Sequence, residues 1–243
     1  MRTNASRRVV WFIRFVGMIS SLPESFTLKR MPATYNRIAG QSVERLAALS
    51  DGVFAVAMTL LVLDLKAPAS EAIHSEGGLW AALAVLAPKL VMYMMSFLTL
   101  GIFWVGQQSQ LSHLERSHRS LSWMHLMFLF FVSMTPFSTS LLAEFTAYRV
   151  ALLVYWLNIL LLGVVLYVSW SCALDGHLVK EDVSREVSAA IKRRIVTAQA
   201  LYGLGVAMCV ISTYWSIAFI VLVQLNYAIA PRWPWRSRGG RPA

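Results

Sequence analysis

Long apolar runs separated by short polar stretches dominate this chain. Six of them approach the length of about 20 residues that a helix needs to cross a bilayer. They cover roughly 46–65, 79–106, 121–142, 150–174, 195–211 and 212–230. The second is long and carries Pro88-Lys89 in its first third, so its well-insulated part starts at Leu90. Only the region Ser212-Thr213-Tyr214 separates the fifth from the sixth. A membrane barrel would show alternating segments of about ten residues. These runs are longer and apolar on both parities. Backbone polar groups in lipid must be satisfied within the spanning structure. The pattern therefore predicts an all-α integral membrane protein with six transmembrane helices per subunit.

Composition agrees. Of 243 residues, 57% are hydrophobic and 14% charged, against about 25% charged in a soluble domain. Cys172 and Cys209 each lie in an apolar stretch, which reads as two reduced thiols rather than a disulfide scaffold. No Cys/His spacing suits a structural zinc site.

Charge position sets orientation. Nineteen of the 22 Lys and Arg fall in the segment through Arg45, the loops between helices two and three and between four and five, and the tail after Ala230. The opposite side has Lys66, Lys89 and Arg149. Such a bias puts both termini in the cytoplasm and makes the crossings even in number. The net charge of +10 is thereby explained by topology and anionic lipid headgroups, with no nucleic-acid partner. Residues 1–40 form a basic extension whose apolar stretch 9–22 is broken by Arg14; it reads as a signal-like segment or as chain upstream of a natural start at Met31. Residues 41–231 form the membrane domain and 232–243 a basic cytoplasmic tail. The stretch 175–194 has helical spacing at Leu178, Val183, Val187 and Ile191. It reads either as a short amphipathic helix leading into helix five or as a plain connector.

Helix one differs from the rest. At about 100° per residue, Leu49, Gly52, Val56, Thr59, Leu60 and Leu63 share one stripe, apolar with a single hydroxyl. Asp51 falls on another face. A carboxylate at a helix centre costs about 2.5–3.5 kcal/mol on insertion scales, and less near the interface. Asp51 is therefore expected to bond to neighbouring helices. Arg45, Ser50 and polar groups of helices two and three are the candidate partners. Either an internal network locks the packing there, or Asp51 is a direct ion or proton site.

The run Arg45-x-x-x-Leu49-Ser50-Asp51-Gly52 resembles the Arg-x-x-x-Phe-Ser-Asp-Gly/Ala signature of the transmembrane protein 175 potassium channel family, with Leu49 in place of Phe. The continuation through Asp64, the segment from Ser96-Phe97 to Trp104, and Thr135-Pro136-Phe137-Ser138-Thr139 are similar to the bacterial members. The family's helix-two His, three residues after Trp104, is Gln107 here, followed by Gln108. In the family that His joins a polar network with the signature Arg and Asp. His125 on helix three stands either as its replacement or as a packed helix histidine. The resemblance implies a homotetramer in the bacterial plasma membrane, with a central pore lined by the first helix of each subunit. It also implies passive potassium conduction, K⁺ passing transiently as the one metal, no cofactor and no enzymatic step. By similarity, Val56, Leu60 and Leu63 would form apolar rings that gate by dewetting, and Thr59 would place hydroxyls between them. Arg45, Ser50, Asp51, Gly52, Gln107 and His125 would form the signature network. Four copies of Asp64 would make an acidic ring at the outer mouth; the alternative is an interfacial carboxylate capped by water or paired with Lys66. Arg45 falls toward the pore stripe, where four bare cations would repel, so pairing with a carboxylate or a helix starting after it is expected.

The chain has no Thr-Val-Gly-Tyr-Gly filter loop; Tyr202-Gly-Leu-Gly reads instead as a close helix-packing patch. A secondary transporter is the rival, but 44–142 and 150–230 show no internal repeat, and Pro136 is the one mid-segment breaker. No Ser/His, Asp/Asp or His-Glu-x-x-His arrangement lies at membrane depth, because His74, His113, His118 and His177 sit in loops or at helix ends. A non-conducting membrane regulator stays open.

Overall fold

The computed structural model describes residues 42–70 and 73–229. The expectations for residues 1–40 and for the tail 232–243 lie outside the described residues. Six α-helices follow one another: α1 (Val43–Leu60), α2 (Glu76–Ser112), α3 (Arg119–Glu144), α4 (Arg149–Asp175), α5 (Arg185–Ala207) and α6 (Thr213–Ile229). Short 3₁₀ turns, Leu61–Asp64 and Met208–Val210, extend α1 and α5. Among the described residues the only β pairing is a single bridge, Leu114 with Val179.

Four helices have side-chain N-caps, which satisfy orphan backbone N–H groups of the first turn. Ser42 Oγ accepts from Arg45 N, Ser75 Oγ from Gly78 N, and Ser184 Oγ from Val187 N. His118 Nδ1 accepts from Leu121 N. The caps explain why the helices outrun the apolar segments. α2 starts at Glu76 rather than Leu79, and α5 at Arg185 rather than Ile195. Helix five and the expected amphipathic stretch before it are thus one element from Arg185 onward, and residues 176–184 are the connector.

Four helices, α1 with its 3₁₀ turn and α2 to α4, are long and apolar enough to cross a membrane. α6 is apolar but has 17 residues, and α5 carries Lys192, Arg193 and Arg194 in its first half. α2 is the longest at 37 residues, about 56 Å at 1.5 Å per residue. That is well beyond a hydrocarbon core of about 30 Å.

The start of α1, end of α2, start of α3 and end of α4 meet in one apolar cluster: Val43, Leu111, Leu114, Leu121, Trp170 and Ala173. Successive helices therefore alternate in direction. The two basic loops join at this same end, where Lys180 Nζ donates to Ser112 O at 2.8 Å. At the opposite end Lys89 Nζ meets Glu144 Oε2 at 2.8 Å, and Arg149 donates to Val210 O at 3.1 Å. Lys89 is thus level with the end of α3, and Glu76–Pro88 runs on past it. The main core lies between these ends, with Phe54, Met95, Leu100, Phe128, Tyr155 and Leu162 among its buried members.

Candidate functional site

α1 divides its residues sharply. Ser50, Phe54, Ala57 and Leu61 are buried against the neighbouring helices. The opposite stripe has little protein over it: Val56 is 57% and Leu63 68% exposed, and Leu49, Gly52, Thr59 and Leu60 are exposed as well. The predicted stripe therefore lies within the uncovered face of α1, which also carries Ala48, Asp51, Ala55 and Val62. Its last turn tightens to 3₁₀, in which residues three apart eclipse each other. Leu63 consequently lines up with Leu60, and the stripe continues to the helix end. Leu49, Gly52, Val56 and Leu60 line a shallow open groove along it.

Thr59 Oγ1 donates within its own helix, lying 3.0 Å from Ala55 O and 2.9 Å from Val56 O. A hydroxyl has one proton and two acceptor lone pairs. With the proton turned to the backbone, the oxygen offers only acceptors to the open side. Asp64 is exposed just past the C-terminal end of α1 and makes no ion pair among the described residues. The sequence alternative of pairing with Lys66 is not realised.

The signature residues fall into two clusters. The first is buried. Gln107 Nε2 donates to Ser50 Oγ at 3.0 Å and contacts His125 Nε2 at 2.6 Å. Ser50 Oγ in turn donates to Leu46 O at 2.7 Å. An amide nitrogen donates only, so the ring nitrogen accepts in that contact. The second cluster is exposed. Asp51 Oδ1 accepts from Trp104 Nε1 at 2.8 Å and from Gln108 Nε2 at 2.6 Å. Asp51 thus binds a neighbouring helix as expected, with the partners on α2. Arg45 and Ser50, the other candidates, do not bond it. Arg45 is exposed and forms no ion pair among the described residues, and α1 starts before it at Val43, so neither the expected carboxylate partner nor a helix starting after Arg45 is found there.

Comparison with known proteins places the chain. A family model described as "Endosomal/lysosomal potassium channel TMEM175" matches residues 45–136. A potassium channel of Streptomyces collinus is 34% identical over 75% of this chain and 90% of that protein. The chain belongs to the TMEM175 family. The crystal structure of a lysosomal potassium-selective TMEM175 homolog from Chamaesiphon minutus matches with a TM-score of 0.66 at 29% identity, covering 77% of this chain and 97% of that one. The human TMEM175 endosomal/lysosomal proton channel is 34% identical over 39% of this chain and 20% of its own length. The chain is accordingly a multi-pass membrane protein.

In the buried cluster the imidazole comes from α3. Gln107 on α2 bridges Ser50 and His125. A second buried network had no counterpart in the sequence reading. Tyr155 Oη lies 3.0 Å from Thr99 Oγ1 and 3.3 Å from Ser96 Oγ; Thr139 Oγ1 donates to Ser96 at 2.7 Å. Gln224 Nε2 donates to Thr99 Oγ1 at 2.7 Å, and Asn158 Nδ2 to Thr135 Oγ1 at 3.0 Å. These residues tie α2, α3, α4 and α6 together in the core. The signal available was helical spacing of small polar residues, Ser96/Thr99 and Thr135/Thr139, inside apolar runs. Of the Tyr-Gly-Leu-Gly patch, Gly205 sits tightly against α6, whereas Gly203 faces open space.

Proposed function

We propose that this chain is a potassium channel of the bacterial plasma membrane. Six helices cross per subunit, both termini are cytoplasmic, and four copies surround one pore lined by α1. The observation that carries the reading is the uncovered stripe on α1. An apolar helix face at membrane depth with one inward-bonded hydroxyl suits a surface that other copies of itself complete. The printed names of the Streptomyces collinus relative and the Chamaesiphon minutus structure support potassium as the ion.

In this assembly Val56, Leu60 and Leu63 form successive apolar rings, and Gly52 widens the path below them. Rings of this kind conduct when wet and close by dewetting. Thr59 offers acceptor oxygens between the rings, where a cation has lost part of its water. Asp64 forms the acidic ring at the outer mouth and raises the local cation concentration. The Ser50–Gln107–His125 cluster acts from behind, clamping α1 to α2 and α3 so that the stripe faces the axis. Asp51, held by Trp104 and Gln108, fixes α1 to α2 on a second side. No cofactor takes part.

The test is a planar bilayer holding the purified protein, with K⁺ on one side and Na⁺ on the other. The expected reversal potential lies toward the K⁺ equilibrium value, and Thr59→Val or Leu63→Ala shifts it or reduces selectivity. Saturating flux far below channel rates would assign a transporter instead, and absence of any current from folded tetramer would assign a regulator.

A further inference from the structure

Beside the buried Ser50–Gln107–His125 cluster, α2, α3 and α4 surround a cavity of about 10 Å³. Part of its wall is apolar, with Leu114 and Leu121 among the lining residues. Four lining residues carry polar groups: Gln110 from α2, His125 from α3, and Ser169 and Trp170 from α4. Trp170 is only 1% exposed, and its indole Nε1–H has no partner among the described residues. Buried donors are normally satisfied, and an indole nitrogen only donates, so this one calls for an acceptor. His125 calls for another. Both of its hydrogen-bond contacts in the cluster are at Nε2, which accepts from Gln107. A neutral imidazole that accepts at one nitrogen carries its proton on the other, here Nδ1. Gln110 turns its Nε2 to Leu166 O at 3.4 Å. Its carboxamide oxygen and the Ser169 hydroxyl are both able to accept.

We infer that this cavity is a binding site for one ordered water molecule. The water oxygen accepts from Trp170 Nε1 and His125 Nδ1, and its two protons go to Gln110 Oε1 and Ser169 Oγ. Volume sets the ligand: a single water needs about 10–15 Å³ of such space and two to four polar partners. No larger solute fits, and two N–H donors oppose a cation. The water carries the hydrogen bonding of the cluster behind α1 across to α4, so that α2, α3 and α4 meet around one polar point. This assignment stands whether or not the chain conducts.

The test uses the full-length protein. A cryo-electron-microscopy map fine enough to show ordered water in the protein interior should carry a peak within hydrogen-bond reach, about 2.7–3.2 Å, of both Trp170 Nε1 and His125 Nδ1. In protein labelled with ¹⁵N-histidine, the His125 ring should show a protonated Nδ1 and a bare Nε2, its signals being recognised by their loss in His125→Gln. A map with interior waters elsewhere and no peak at this position would overturn the inference. So would a His125 ring protonated on Nε2 alone, because Nδ1 then has no proton to give. If His125→Gln folds poorly, the map decides by itself, since it needs no variant.

Discussion

Replacing Gln107 with Leu keeps the volume of the side chain and removes its two donors. Ser50 Oγ and His125 Nε2 then lose their shared donor at 3.0 and 2.6 Å and keep only their direct 3.1 Å contact and the Ser50 bond to Leu46 O. Each lost hydrogen bond is worth about 0.5–1.5 kcal/mol. We therefore expect Gln107→Leu to lower the melting temperature of the detergent-solubilised protein clearly. Gln108→Leu, one residue on, breaks an exposed bond to Asp51 and should cost much less; equal losses in the two variants would argue against a structural clamp. The α1 stripe permits a second residue-scale prediction, in a chain with Cys172 and Cys209 replaced by Ala. Leu63→Cys places a thiol on the 68% exposed side, and Leu61→Cys places it on the side that is 2% exposed. A cationic thiol reagent should reduce the current of the first and spare the second. Sensitivity at 61 would mean that another face of α1 meets the ion path. The stripe could be read from the sequence because uncovered and covered positions of a helix separate by angle alone. The partners of Asp51 could not, because angle fixes a face and not the neighbour across from it. Trp104 and Gln108 qualify by sitting four residues apart on α2, a fact that needs the packing of α1 on α2 to acquire meaning.

At the level of elements, the α5–α6 contact turns on one glycine. A Cβ added at Gly205 would lie 2.9 Å from Ile220 Cγ1 and 3.1 Å from Phe219 Cδ1, whereas one added at Gly203 meets nothing within 4 Å. Overpacking a tight contact costs about 1–3 kcal/mol, while Gly to Ala at an open helix position gains about 0.5–1 kcal/mol. Gly205→Ala should thus lower the melting temperature and Gly203→Ala leave it level or raise it. The reverse order would show that α5 and α6 are not packed this way. The six helices themselves were legible because each contains a continuous apolar run. Their ends were not, because a helix keeps going in water as long as a cap and good helix formers support it. Ser184 and Arg185 extend α5 ahead of its apolar part in this way, and Ser75 does the same for α2. The buried Tyr155–Thr99–Ser96–Thr139 network escaped for a different reason. Each hydroxyl looks locally satisfiable by the carbonyl four residues back, as Thr99 in fact is by Met95 O, so nothing along the chain points to a partner on another helix.

The whole molecule poses a question of length. α6 has 17 residues, about 26 Å at 1.5 Å per residue, just short of a hydrocarbon core of about 30 Å. The apolar part of α5 starts only after Arg194. Two physical arguments nevertheless support the proposal that both cross. Lys180, just ahead of α5, shares the end where α1 starts and α2 ends, while Arg149 bonds Val210 at the other end. α5 therefore runs the full distance between ends alongside α4. The buried Gln224 of α6, which reaches Thr99 in the middle of α2, supports a return through α6. A local thinning of the bilayer or an untilted α6 accommodates the shortfall at fractions of a kcal/mol per Å. The prediction is a topology. Alkaline phosphatase, active only outside the cytoplasm, should be active when fused after Ser212 and inactive when fused after Gly176. Inactivity at both sites would leave four crossings, remove α5 and α6 from the membrane, and detach the basic loop before α5 from the rule that orients the rest of the chain.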